Sequence, residues 1–289
     1  TTTSTSSSTT STSTTTKRDL NKIFPPWIVD STQGLRKKIP RDLWQTAPGA
    51  PHLSHRLKDV TASWTDMHKG LHWNLLDDDG MKETVENVSA LLGPSPPVAC
   101  PQGNLSISLA QAFDSFPIPV MKADLWRYAV LWLHGGIYAD IDVYANMDLY
   151  SWIDSHPNCS LILGAENDVH FCQWVIISVA RHPLLRQVME IIRDGAACGI
   201  DVKNQHFVHK HTGPAVWTRA IWDLLAPGNR QISATDLECE ISHMPETEAG
   251  ERGKFLGVCA WADLPATAVR NLYASQWSDR DRGERFTSW

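Results

Sequence analysis

The stretch from residue 121 to residue 142 constrains the fold more than any other. Leu125, Tyr128, Ala129 and Trp132 share one face of a predicted helix over residues 121–134. Gly135-Gly136 supplies a helix stop, and Ile137-Tyr138-Ala139 follows at once as a short apolar strand. That strand delivers Asp140-Ile141-Asp142. A helix that turns directly into a buried strand is the working unit of an α/β domain.

The flanking sequence repeats the alternation. Order is expected from Lys38-Ile39-Pro40, with Leu43-Trp44-Gln45-Thr46 as a first strand and Leu53, Leu57, Val60 and Trp64 at helical spacing after it. A second strand over residues 71–76 closes on the turn Asp77-Asp78-Asp79-Gly80, and Met81, Val85, Val88 and Leu92 mark a second helix. Two strand–helix units in succession predict a mainly parallel sheet. Residues 93–104, with four prolines and two glycines, read as a loop. Further strands are expected over 160–165, 171–180 and 255–261, and helices over 183–193 and 214–225. Residues 1–16 are Ser and Thr alone; with nothing apolar to bury they are expected to be a disordered stem. Residues 17–37 read as a linker and 38–289 as one domain.

Charge and composition exclude some functions. A formal net charge of -6 argues against a nucleic-acid partner, which calls for a basic face. No apolar run is long enough to span a bilayer. The six cysteines form no C-x-x-C pair, so they suggest no zinc site, and their even number permits disulfides. Three sequons, at Asn87, Asn104 and Asn158, are compatible with a glycosylated lumenal protein, and a Ser/Thr tract resembles the stem of a Golgi enzyme. His206, His209 and His211 read as structural or surface residues. The thirteen tryptophans read mostly as core.

The candidate chemistry centres on Asp140 and Asp142. On an extended strand, side chains two apart point to one side, and two carboxylates there can hold a hard cation. The pattern alone is weak, because Asp77/Asp79 and Asp279/Asp281 repeat it. Asp124 and Arg127 lie one turn apart, off the apolar stripe of the preceding helix, where they can grip sugar hydroxyls and diphosphate or form a plain intrahelical ion pair.

The string Lys122-Ala123-Asp124-Leu125-Trp126-Arg127-Tyr128, continued by Gly135-Gly136-Ile137-Tyr138-Ala139-Asp140-Ile141-Asp142, resembles the signature of glycosyltransferase family 32. The residues from Ile39 to Thr46 and Leu75-Leu76-Asp77-Asp78-Asp79 resemble its first two strands. Phe171-Cys172-Gln173-Trp174, His182-Pro183 and Thr212-Gly213-Pro214 are similar to the fungal initiation-specific α-1,6-mannosyltransferases within it.

The resemblance implies a single GT-A domain with a Rossmann-like, mainly parallel sheet. It further implies a retaining transfer, a divalent cation (Mn2+ first), GDP-mannose as donor and an N-glycan or other mannoside as acceptor. It places the enzyme in the Golgi lumen, anchored as a type II membrane protein through an N-terminal segment outside this sequence. By position, Trp44, Lys122, Asp124, Arg127, Tyr138 and Asp140 would bind the donor, and Asp140 with Asp142 the metal. Glu166 and Asp168, at the end of the next strand, match acidic positions near the reacting carbon and acceptor, and with Asp124 and Arg127 they make up the implied catalytic set. Alternatives of the same kind are mannosyl or galactosyl transfer to a sphingolipid or other glycan; a silent glycan-binding homologue is a different class. Retention is compatible with a front-face displacement or with a double displacement through Asp or Glu. At the C-terminal end the sequence departs from the family pattern, reading Asn271-Leu272-Tyr273-Ala274-Ser275-Gln276-Trp277 where the family has His-x-x-x-Gly-Ser-Trp. Asn271 would there offer a neutral metal ligand, and Trp277 a cover over the donor.

Overall fold

A computed structural model describes residues 22–32, 35, 38–47, 55–228, 233–243, 247–262, 264 and 268–271. The Ser/Thr tract over 1–16, Asp279, Asp281 and Trp277 lie outside the described residues. The first strand–helix alternation is β1 (Asp42–Thr46), α2 (His55–Met67), β2 (His72–Leu76) and α3 (Asp78–Leu92). After it come α4 (Leu109–Ser115), α5 (Pro119–His134), β5 (Gly136–Ala139), β6 (Val143–Ala145) and α6 (Leu149–Ser155). The remaining sheet strands are β7 (Leu161–Leu163), β8 (Val175–Ser178) and β9 (Val258–Ala260). Four helices, α7 (Pro183–Ala197), α8 (Phe207–His211), α9 (Pro214–Leu225) and α10 (Ala234–His243), lead to α11 (Glu248–Leu256).

The central sheet runs β2-β1-β5-β8-β7-β9. β1 pairs in parallel with β2 and β5, β7 in parallel with β9, and β8 alone runs antiparallel to both its neighbours. The expected α/β class with a mainly parallel sheet is therefore the one adopted. Alternate strand residues separate into two cores, as a period of two requires. Trp44, Tyr138, Leu161, Leu163 and Ile176 pack on one face, with α5, α7 and α9. Leu43, Ile137, Ala139, Ile162, Val175 and Ile177 pack on the other.

Several expectations need correction. Residues 93–104 are not simply a loop: β3 (Val98–Cys100) and β4 (Gly103–Leu105) form an antiparallel hairpin, and Cys100 is disulfide-bonded to Cys198 after α7. A second disulfide joins Cys159 to Cys259, while Cys172 and Cys239 remain thiols. Within the expected linker, α1 (Pro26–Thr32) buries Ile28 beside Phe24 in the larger core. The strand expected over 255–261 begins late, because α11 continues to Leu256 and ends on left-handed Gly257 (φ 66°). α4 and α10 are short helices that the periodicity did not reveal.

His182 ties this frame together at the start of α7. Its Nδ1 accepts from the Leu184 N–H at 3.2 Å, and the ring's other nitrogen, Nε2, faces the Leu256 carbonyl at 3.0 Å. The pair of contacts fixes the neutral ring with its proton on Nε2. Burial pushes its pKa down to about 4, from an ordinary value of 6.5. Between those values the unfolded chain binds a proton that the fold refuses, so stability falls as pH drops through the window. The loss amounts to about 2 kcal/mol by pH 5 and about 3 kcal/mol below pH 4. Denaturant melts at pH 7 and pH 5 should show that loss in the wild type. His182→Asn, which can still accept the bond from Leu184, should be less stable at pH 7 but lose under half as much on acidification. Equal losses would contradict the assignment.

Candidate active site

The site is built around the abrupt passage from α5 to β5. Gly135 and Gly136 take φ of 73° and 104°. A Cβ on Gly135 would come 2.6 Å from the Ala180 nitrogen, and one on Gly136 2.4 Å from the Asp42 carbonyl oxygen. Only glycine fits at both points, and the pair lets β5 enter the middle of the sheet between β1 and β8. The ladder then ends. The Asp140 N–H donates to the Trp174 carbonyl at 2.9 Å, while the Asp140 carbonyl accepts from Gln45 Nε2 at 3.2 Å and from the Val143 N–H at 3.0 Å. Asp140-Ile141-Asp142 is accordingly a tight turn between β5 and β6, not the extended strand expected from its spacing.

Above this turn, α5 is buried nearly all round, and the burial includes Asp124 (2% exposed) and Arg127 (4%). The solvent-exposed ion pair, one reading of their spacing, is thereby ruled out. Arg127 Nη2 donates to Asp124 Oδ1 at 2.9 Å and to Asp140 Oδ1 at 3.3 Å. Tyr138, which faces α5 because the strand alternates, donates its hydroxyl to the same Asp140 Oδ1 at 2.5 Å. The guanidinium lies over the Tyr138 ring, 4.9 Å from its centroid. Asp124 receives two more donors, Thr212 Oγ1 at 2.8 Å and Gln173 Nε2 at 3.5 Å. Gln173 in turn accepts from the Tyr128 hydroxyl at 2.8 Å. Arg127 Nε is buried without a hydrogen-bond partner.

The electrostatics follow from one cation among several carboxylates. Burial raises the Asp124 pKa, opposed by Arg127 and the Thr212 hydrogen bond. Burial likewise raises that of Asp140, opposed by Arg127 and Tyr138. Burial works against the Arg127 charge, but Tyr138, Asp140 and Asp124 outweigh it and keep the guanidinium protonated. Asp142, two residues after Asp140 in the same turn, is buried as well. Glu166 stands at the exposed rim with its carboxyl turned inward: desolvation and nearby Asp140 raise its pKa, against a hydrogen bond from Trp174. One guanidinium thus serves two carboxylates, Asp124 and Asp140, with Glu166 electrostatically coupled to Asp140, an excess of negative charge that favours a cation.

The structure thus brings together Asp124, Arg127, Tyr138, Asp140 and Glu166 of the residues singled out in the sequence, with Asp142 buried in the turn that follows Asp140. Trp44 lies close by, donating Nε1 to the Gly135 carbonyl at 2.9 Å and stacking on His134 at 4.9 Å. Lys122 points elsewhere. It lies on the opposite side of α5, over the Phe113 ring, and lines a cavity of about 400 Å³ with Asp78, Asp79 and Phe116. Asp168 is engaged by α10: it accepts from Thr235 Oγ1 at 2.8 Å through its side chain and from the Ala234 N–H at 2.8 Å through its carbonyl. Asn271 ends β10 (Val269–Asn271), where its backbone pairs with Val143, the residue after Asp142. Gln173 and Thr212 carried no assigned role in the sequence, although both stood in quoted motifs. For Gln173 the signal was a polar residue placed among apolar ones, Phe171, Cys172, Trp174 and Val175; Thr212, between His211 and Gly213, gave no such signal.

Removing Arg127, the cation of the network among the described residues, should cost far more than a surface pair would. Arg127→Met leaves Asp124 and Asp140 buried and uncompensated, with an expected loss of about 3–5 kcal/mol in urea melts at pH 7. Arg127→Lys should recover part of it, since an ammonium lacks the planar fork. A loss below about 1 kcal/mol for Arg127→Met would contradict the burial of the pair.

Residues 54–163 match the family model described as a glycosyltransferase sugar-binding region containing the DXD motif. The chain is 33% identical over 273 residues to the initiation-specific alpha-1,6-mannosyltransferase of Schizosaccharomyces pombe (strain 972 / ATCC 24843). That match covers 83% of this chain and 64% of the relative, so the chain spans just under two thirds of the relative's length. The solved PaToxG glycosyltransferase is a distant neighbour, with a TM-score of 0.44 and 16% identity over 82% of this chain and 85% of that one. Both matches agree with the resemblance read from the sequence: the chain is similar to the fungal initiation-specific mannosyltransferase over most of its length, and its residues 54–163 are similar to a DXD-containing glycosyltransferase sugar-binding region.

Proposed function

We propose that this protein is a retaining, metal-dependent α-1,6-mannosyltransferase that uses GDP-mannose and extends an N-glycan. The buried Arg127 shared by Asp124 and Asp140, within the matched sugar-binding region, carries the reading. Such a network holds carboxylates in fixed directions before any ligand arrives, which is what electrostatic preorganisation requires.

The residues fit a hard cation. Arg127 and Tyr138 both donate to Asp140 Oδ1, which leaves Oδ2 as an acceptor among the described residues. Asp142 adds a second carboxylate two residues on. No group of three or more His, Cys, Asp or Glu side chains converges as a metal centre among the described residues. Protein ligands alone would then leave the coordination incomplete, and donor diphosphate oxygens would complete it. A divalent cation held by Asp140 and Asp142, with Mn2+ the expected ion, supplies Lewis-acid neutralisation of the departing diphosphate.

The chain's own groups do the rest. Asp124 and Arg127 bind and orient hydroxyls of the transferred sugar. Tyr138 keeps the Asp140 carboxylate turned toward the donor. Both oxygens of Asp124 are engaged, which disfavours it as a covalent nucleophile and fits a front-face displacement. There the acceptor oxygen bonds to the anomeric carbon as the bond to phosphate breaks, and the acceptor proton passes to the leaving phosphate oxygen. Glu166, its pKa raised, sits at the rim where an acceptor hydroxyl would enter.

Disulfides Cys100–Cys198 and Cys159–Cys259 favour an oxidising compartment. The sequon residues Asn87, Asn104 and Asn158 are exposed. Both features support a lumenal enzyme, with a Golgi location and type II anchoring as part of the proposal. Among the described residues no helix is long and apolar enough to cross a membrane.

A transfer assay with GDP-mannose, UDP-galactose and UDP-glucose on a mannoside acceptor tests the proposal. GDP-mannose with Mn2+ should be used at least ~10-fold faster than either alternative, and chelation should stop the reaction. Asp142→Asn should abolish transfer while melting within a few degrees of the wild type. Near-wild-type turnover in Asp142→Asn would refute the metal assignment, and a faster UDP-sugar would refute the donor.

A further inference from the structure

Thr212 lies at the C-cap of α8, fully buried, where a hydroxyl needs a partner. The ordinary partner, the Val208 carbonyl, already receives the Thr212 N–H and the Gly213 N–H at 2.9 Å each, which fills both lone pairs. The hydroxyl's 3.3 Å approach to that carbonyl is a contact without a proton to share. Its single proton goes to Asp124 Oδ2 at 2.8 Å, a shorter bond to a charged acceptor. Gly213 makes the placement possible: a Cβ there would come 2.8 Å from the His209 Cα, so a larger residue would open the turn.

We infer that Thr212 is a positioning residue for glycosyl transfer, locking Asp124 in the orientation that meets the donor sugar. The inference rests on the reading of Asp124 as a donor-sugar ligand. Arg127 holds one oxygen of the carboxylate and Thr212 the other, so the group cannot turn about its broad terminal torsion. Without the hydroxyl, Oδ2 loses its anchor and the carboxylate can rotate to take a second N–H of Arg127. The guanidinium then leaves Asp140, with which it shares Nη2. Thr212 thereby controls the directions of both carboxylates through Asp124.

Two substitutions separate this role from packing. Thr212→Val keeps the shape and drops the hydroxyl; Thr212→Ser keeps the hydroxyl and drops a methyl. In the full chain with Mn2+, Thr212→Val should lower kcat from GDP-mannose at least ~10-fold, about 1.4 kcal/mol of barrier. Its Kd for GDP, which lacks the sugar, should stay within about twofold by calorimetry. Thr212→Ser should keep at least half of the wild-type kcat. Turnover in Thr212→Val above half of wild type, or Thr212→Ser as impaired as Thr212→Val, overturns the inference. A wild-type protein inert with every sugar nucleotide would instead strike at the glycosyl-transfer reading. The contact is then judged by melts of Thr212→Val, Asp124→Asn and the double variant. Less-than-additive losses support the clamp, and additive losses overturn it.

Discussion

One hydrogen-bonding nitrogen organises this molecule: Nη2 of Arg127, shared between Asp124 and Asp140. Burying a guanidinium costs several kcal/mol unless its partners compensate, and burying the partners without it costs as much again. Neither can be given up alone. The fold is therefore committed to keeping α5 pressed on β5 at one register, because those elements carry the partners. Gly135 and Gly136 make that register possible by letting helix and strand meet without an intervening loop, with Asp42 and Ala180 packed against them. The same arrangement leaves negative charge in excess at the strand's end. On the function proposed here, the arrangement that holds the ion pair would also receive a cation and a phosphorylated sugar.

The rest of the chain stiffens this centre from both sides of the sheet. Cys100–Cys198 fastens the β3–β4 hairpin to the end of α7, across a sequence separation of 98, and Cys159–Cys259 fastens the edge pair β7 and β9 across 100. Closing loops of that length is worth about 4–5 kcal/mol each in the chain-entropy account. Neither disulfide touches the acidic cluster. They restrain the ends of helices and strands that carry Thr212, Gln173 and Glu166 into place, so precision at the site is inherited from a distance.

Much of this was legible in the sequence, for reasons that differ by residue. The helix over 121–134 and the strand after it declare themselves because apolar spacing and Gly-Gly punctuation act locally. Asp124, Arg127, Tyr138, Asp140 and Asp142 stand within that short stretch, so one local pattern delivers most of the site. Lys122 belongs to the same string but faces the other way, since two helical positions differ by about 200° around the axis. Asp168 looked like a site residue because it is acidic and follows a strand, yet its bonds go to α10, an element whose weak periodicity hid it. Thr212 and Gln173 meet Asp124 from 88 and 49 residues away, and no local spacing records a contact of that kind. The Asp140–Asp142 turn was misread as extended because a period of two is silent about where a ladder stops. Its end is set by Gln45 and Trp174, both distant in sequence.

The central claim is that the carboxylates at the end of β5 form a cation site completed only by a diphosphate. Titration calorimetry of GDP into the wild-type protein, with and without Mn2+, tests this most directly. By thermodynamic reciprocity each ligand must tighten the other by the same factor, and the account predicts at least ~10-fold, or about 1.4 kcal/mol of coupling. Mn2+ alone should bind weakly, because no group of three or more His, Cys, Asp or Glu side chains converges among the described residues. Equal GDP affinity in the two titrations, or tight Mn2+ binding without nucleotide, would contradict the account.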